Sequence, residues 1–151
     1  MIAGVRLRDL VRHADERGSF TELLRRDWPE HPGFGQASIT VNLPGVIRAW
    51  HWHRRQTDII VVVQGAAKVA LYDAREGSPT RGEVAEWVLG DEHLALVAVP
   101  PGVYHGYMTV GAGPALIVNF PDQLYDLAAP DEERVPHDTP AVPYLWNAPS
   151  R

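Results

Sequence analysis

Thirteen glycines and thirteen prolines are scattered along 151 residues, and this punctuation restricts the fold more than any other feature. Glycine costs about 1 kcal/mol and proline about 3 kcal/mol inside a helix, so few stretches are left for helices, while short strands fit between the breaks. The segment Gln36 to Leu43 shows the strand period directly. Gln36, Ser38, Thr40 and Asn42 fall on one face, and Ala37, Ile39, Val41 and Leu43 on the other. One of those faces is solvated or lines a polar pocket. Further strands are expected at Val46–His53, Asp58–Val63, Ala67–Tyr72, Glu86–Val88, Leu94–Val99 and Ala115–Phe120, separated by turn signals such as Gly65, Gly77-Ser78-Pro79 and Pro100-Pro101-Gly102. Regular short strands of this kind predict an all-β sandwich or barrel. Helix is expected only at Thr21–Arg26, as a single turn, and at Pro130-Asp131-Glu132-Glu133, as a proline-initiated turn or short helix. Beyond Pro121 the chain is polar and proline-rich until Val142-Pro143-Tyr144-Leu145-Trp146, which reads as a tail strapped across the barrel with its apolar end anchored.

The length predicts one domain over residues 1–151. Hydrophobic residues form 45% of the chain and charged residues 22%, so it has the composition of a globular protein. A formal net charge of −5 with no block of like charge offers no field for nucleic acid. No apolar run is long enough to span a bilayer and no leader pattern opens the chain, so a cytoplasmic protein without a membrane partner is expected. The absence of cysteine leaves any chemistry to His, Asp, Glu, Tyr and Arg.

His51-Trp52-His53 is the densest cluster of such groups. In a strand, residues two apart share a face, so both imidazoles point the same way. That geometry serves a metal ligand pair, an acid/base centre or, in a chain with seven histidines, an ordinary strand end. Gly45, His51, His53, Asp58 and Gly65 are spaced as in the first motif of the cupin barrels, which this stretch resembles, with Asp58 where that family carries glutamate. Pro100-Pro101-Gly102-Val103-Tyr104-His105 resembles the second motif, with Thr109 in place of its asparagine. The fold this implies is a cupin double-stranded β-helix, a jelly-roll barrel. If metal-dependent, it would hold one divalent ion on His51, His53, Asp58 and His105 and act on some other small molecule.

Five further segments run in register: "DERGSFTELLRRDW" (15–28), "GVIRAWH" (45–51), "DAREGSPTRGE" (73–83), "VPPGVYHGY" (99–107) and "PDEERVPHDTPAVPYLW" (130–146). Together they resemble the dTDP-4-dehydrorhamnose 3,5-epimerase family over nearly the whole chain. The resemblance implies an isomerase without a cofactor, a nucleotide-sugar substrate and a homodimer with an exchanged N-terminal strand. It implies that Arg17, Phe20 and Glu22 grip the nucleotide and that Gln36, Arg48 and Tyr125 contact substrate. His51 becomes the base, Asp138 the carboxylate that pairs with it, and His105 a second pocket histidine, although His137-Asp138-Thr139-Pro140 reads equally as a turn. Chemistry supports such roles. A keto group acidifies the protons on its neighbouring carbons, a neutral imidazole is a suitable base, and the enolate needs a cation or hydrogen-bond donor.

Three positions depart from the family pattern. Asp58 stands at a lysine position and reverses the charge near the enolate. Val118 aligns with the tyrosine that protonates the opposite sugar face. His53 replaces an amide, and the paired histidines resemble those of sugar 3,4-ketoisomerases, in which two imidazoles carry the proton. His53 or His105 is therefore the expected second proton carrier. A binding module that kept the pocket and lost its chemistry is a further alternative.

Overall fold

The structure is a computed structural model and describes residues 1–147. Twelve strands follow in order: β1 (Arg6–Asp9), β2 (His13–Asp15), β3 (Gly18–Phe20), β4 (Ser38–Asn42), β5 (Ile47–Trp52), β6 (Asp58–Gln64), β7 (Ala66–Asp73), β8 (Val84–Gly90), β9 (Ala95–Val99), β10 (Val103–Thr109), β11 (Ala115–Asn119) and β12 (Glu133–Arg134). They form two five-stranded sheets, β1-β9-β6-β11-β4 and β12-β5-β10-β7-β8, and a separate hairpin, β2-β3. All pairings are antiparallel. The fold is the jelly-roll of the cupins. The described residues contain no helix. Thr21–Arg25 has no regular structure and Arg26 opens a turn, while the expected helical turn after Pro130 is irregular chain that leads into the short strand β12. Val103–Thr109, which carries His105, is a strand that the sequence pattern alone did not announce.

The uninterrupted apolar run Ile59-Ile60-Val61-Val62 shows why alternation fails in the middle of the sheet: β6 is buried on both faces. Ile60 and Val62 point between the sheets with Val69, Leu71, Val97 and Ile117. Ile59 and Val61 point outward, where Leu23, Leu24 and Trp28 cover them. The second sheet is covered in the same way, since the tail residues Val142, Tyr144 and Trp146 close over Trp50 and Ala70. Trp50 has no exposed surface, and the Tyr144 and Trp146 rings lie 5.6 and 5.0 Å from it. The chain ends thus act as outer layers. This is the physical role of the strapped tail.

One glycine sets the spacing of the strands that carry the histidines. His105 on β10 faces His51 on β5, and the register shifts between His105 and Tyr107, at Gly106. A Cβ on Gly106 would lie 2.3 Å from the Cβ of Ala49 and 2.8 Å from the carbonyl oxygen of Arg48. Gly106→Ala is therefore expected to lower stability by about 1–3 kcal/mol through overpacking, read as a lower urea midpoint with an unchanged slope.

Candidate functional site

The polar stripe seen in the sequence lines a cavity between the sheets. Gln36, Ser38 and Thr40 form one wall. His51, His53, Asp58 and His105 form the floor, and Asn119, Tyr125 and Glu132 contribute to the rim. At about 190 Å³ the cavity is smaller than the roughly 300–1,000 Å³ of pockets that enclose a drug-sized ligand. It suits the reacting end of a ligand more than a whole sugar nucleotide.

The three histidines are not equivalent. The side chain of His51 is 24% exposed, whereas those of His53, His105 and Asp58 are 8%, 7% and 4% exposed. His51 Nδ1 lies 2.9 Å from Glu132 Oε1, and the far oxygen of Glu132 accepts a bond from Arg134 Nη2 at 2.9 Å. Burial lowers the pKa of His51, the nearby His105 adds to this, and the Glu132 hydrogen bond opposes it only in part. His51 is thus held neutral near pH 7, with Nδ1–H on the carboxylate and Nε2 left as the basic nitrogen.

His53 is held the other way. Both its ring nitrogens face acceptors, Nδ1 the carbonyl of Asp131 and Nε2 the Asp58 Oδ2 at 3.1 Å. Only the imidazolium donates to both. Burial opposes that charge, but the hydrogen bond and charge of Asp58 outweigh it, with help from the Asp131 carbonyl, and raise the pKa. Burial likewise pushes Asp58 up, and the bonds from His105 and His53 hold it well below the usual carboxylate range instead. His105 Nε2 lies 3.0 Å from the same Oδ2, and Gln56 Nε2 donates to Oδ1 at 2.7 Å. Asp58 is therefore not a bare negative charge in a lysine's place, because two imidazoles and the Gln56 amide bind it.

The same three residues fit a divalent cation. His53, Asp58 and His105 offer ligand atoms within 4.8 Å of one another. Each histidine is oriented through Nδ1 by a backbone carbonyl, Asp131 for His53 and Val103 for His105. His51 is not part of that group; its Nδ1 is taken by Glu132.

Several expected site residues lie elsewhere. Asp138 is exposed in the tail, and the carboxylate on His51 is Glu132. Pairing of Glu133 and Arg134 with Trp52 and His51 brings Glu132 there, a contact that no sequence spacing announces. Val118 does not line the cavity. Strand alternation turns Ile117 and Asn119 inward, so Asn119 holds the pocket position, with its Oδ1 buried and lacking a hydrogen-bond partner. Period two along Ala115–Asn119 already carried that signal. Arg48 is exposed beside the cavity and donates from Nε to Asn42 Oδ1 at 3.0 Å. Gln36 lines the cavity, and its Oε1 accepts the Tyr125 N–H. Arg17, Phe20 and Glu22 are outside it: Arg17 and Phe20 sit on the β2-β3 hairpin, where Arg17 pairs with Asp15, while Glu22 pairs with Arg25.

The family model described as dTDP-4-dehydrorhamnose 3,5-epimerase matches residues 1–150. The chain is 41% identical over 151 residues to the spore coat polysaccharide biosynthesis protein SpsL of Bacillus subtilis (strain 168), covering 100% of both. It is 42% identical to a probable low-salt glycan biosynthesis epimerase of Haloferax volcanii, covering 97% of this chain and 96% of the relative. Among solved structures, a dTDP sugar isomerase from Desulfovibrio desulfuricans G20 superposes with a TM-score of 0.90 at 34% identity, covering 96% of this chain and 92% of the other.

Removing the charge of Asp58 leaves two imidazoles around a neutral group. Asp58→Asn is expected to cost roughly 3–5 kcal/mol at pH 7. Because folding depresses the Asp58 pKa, its contribution is present above the unfolded value of about 3.9 and lost as pH falls below it. The stability gap between wild type and variant, measured by urea unfolding, should therefore shrink below about pH 4.

Proposed function

The chain belongs to the dTDP-4-dehydrorhamnose 3,5-epimerase family, and from that premise we propose that it moves a proton at a carbon beside the keto group of a dTDP-4-keto-6-deoxyhexose. One observation carries the assignment of roles. Two imidazoles two residues apart, at the end of β5 and just beyond it, are driven apart in protonation, His51 toward neutral and His53 toward charged, and such divergence marks a base and an acid. His51 Nε2 takes the proton from the carbon, and the electron pair moves onto the keto oxygen as an enolate. Glu132 stabilises the imidazolium formed at His51. His53 or His105, whose Nε2 atoms share Asp58 Oδ2, returns a proton to carbon when its Nε2–H swings from that carboxylate to the enolate. Return to the opposite face of the same carbon inverts that centre; protonation of the former carbonyl carbon, with the adjacent hydroxyl's proton passing to the enolate oxygen, shifts the carbonyl. Asn119, at the position where a phenol would act as acid, has no proton to give and is suited to holding a sugar hydroxyl through its unpartnered Oδ1. This favours reaction at one carbon.

The reading includes a cytoplasmic homodimer. No helix among the described residues is long and apolar enough to cross a membrane. Ile39, Val41 and Leu43 are 60%, 55% and 60% exposed on the outer face of edge strand β4, and Phe20 on the hairpin is 65% exposed. A second copy covering that face would let the hairpin, with Arg17 and Phe20, complete the neighbouring cavity for the nucleotide. Arginine grips a diphosphate through two parallel hydrogen bonds.

We propose that no cofactor is needed. The convergence of His53, Asp58 and His105 supports one other reading, in which these three hold a divalent ion that polarises the keto oxygen as a Lewis acid. Elemental analysis of protein purified without chelator is expected to find well below one equivalent of metal per chain; a full equivalent lost in His53→Ala would favour the metal reading.

His51→Asn should lower turnover of a dTDP-4-keto-6-deoxyhexose by roughly 10²–10⁴-fold. Since the base works neutral and its pKa is lowered, the acid limb of kcat/KM should lie below about 6.5, and since the acid works protonated and its pKa is raised, a second limb should lie on the alkaline side of that value. An acid limb above that value would contradict the assignment. In a mixed dimer, Arg17→Ala and His51→Asn chains should regain one working site between them, whereas a monomeric site would regain none.

A further inference from the structure

Neither imidazole orients itself; both Nδ1 atoms are held by consecutive residues of the tail, Asp131 and Glu132. On its downstream side that stretch is held by the pairing of β12 with β5 and by the two backbone hydrogen bonds that Val135 exchanges with Trp50. β12 is two residues long, and the side chains of Glu133 and Arg134 are exposed. The first residue after it that packs against the Trp50 cluster is Val135. What fixes its upstream side, where Asp131 and Glu132 meet the histidines, is the carboxylate of Asp131, which accepts three successive backbone N–H groups, from Arg54 at 2.8 Å, Arg55 at 2.9 Å and Gln56 at 3.0 Å. Three charge-assisted bonds to one loop make a firm, directional anchor. The loop it grips runs directly from His53 to Gln56 and Asp58.

Building on the proton-transfer reading, we propose that Asp131 is a positioning residue that latches the tail onto the 54–56 loop and thereby sets the Nδ1 partner of both His51 and His53. Its side chain clamps the loop after His53, its carbonyl receives the His53 Nδ1–H, and the next residue is delivered to His51. One residue thus aligns the base and the acid with each other, acting through the two imidazoles. A displacement of about 1 Å in such a pair costs on the order of 100-fold in rate.

The test compares Asp131→Ala and the milder Asp131→Asn with Asp91→Ala. Asp91 caps the Gly65 N–H in a loop remote from the histidines, so its loss is a comparable backbone change outside the site. In the wild type, two downfield imidazole N–H proton resonances are expected, assigned by their loss in His51→Asn and His53→Asn. Asp131→Ala should broaden or remove both, although Glu132 is intact, and Asp91→Ala neither. On dTDP-4-keto-6-deoxyhexose, Asp131→Ala should lower kcat by about 100-fold with KM changed by less than about threefold. It should cost far less when added to Glu132→Gln, because residues acting through one another are not additive. An unchanged His51 resonance in a folded Asp131 variant, or a full additional loss in the Glu132→Gln background, would overturn the proposal. If Asp131→Ala does not fold, Asp131→Asn supplies the same comparisons. Wild type that leaves every such keto sugar unchanged would count against the substrate reading alone, and the resonances would still decide the latch.

Discussion

The site depends on one buried carboxylate. Asp58 begins β6 with its side chain 4% exposed and takes up two histidines and a glutamine amide. An unpaired charge at that depth would be too costly to keep, so the protons of His53 are bound to the presence of Asp58. The other imidazole, His51 at the end of β5, faces a different carboxylate at the wetter edge of the cavity and is held toward the neutral form. The difference between the two histidines is thus produced by where each sits relative to the barrel interior, with identical side-chain chemistry at both positions.

The second dependence runs through the chain's end. Jelly-roll strands place His51, His53, Asp58 and His105 on the floor, but they do not supply the partners of His51. Those arrive with the tail, whose aromatic end is anchored on Trp50 by Tyr144 and Trp146 and whose near end crosses β5 at His51 and Trp52. Packing on the outside of the second sheet and hydrogen bonding at the cavity are therefore parts of one arrangement.

The barrel was legible in the spacing of glycine, proline and β-branched residues, and the floor of the site in two short motifs, because both rest on local periodicity. His105 was visible as chemistry but its segment was not visible as a strand, since Gly106 and the register shift disguise the alternation. Glu132 and Asp131 were hidden for a different reason: their partners lie 81 and 78 residues away, across a pairing two residues long. Asp138 came forward because the family resemblance pairs that position with His51, yet it sits past the point where the tail meets β5. Val118 and Asn119 differ by one place along the strand, and one place is a change of face. The charge reversal at Asp58 looked like a loss of function in the sequence because its neutralising partner, five residues earlier, had already been read as a ligand or a proton carrier of its own.

The central claim is that His51 removes a proton from a carbon beside a ketone. Incubation of the protein with a dTDP-4-keto-6-deoxyhexose in deuterated water, with the label located by mass and by NMR, tests it most directly. The account predicts deuterium at one carbon adjacent to the keto group with the wild type, and a loss of that incorporation with His51→Asn. Wild-type protein that introduces no deuterium, or a His51→Asn variant that introduces it as fast, would contradict the account.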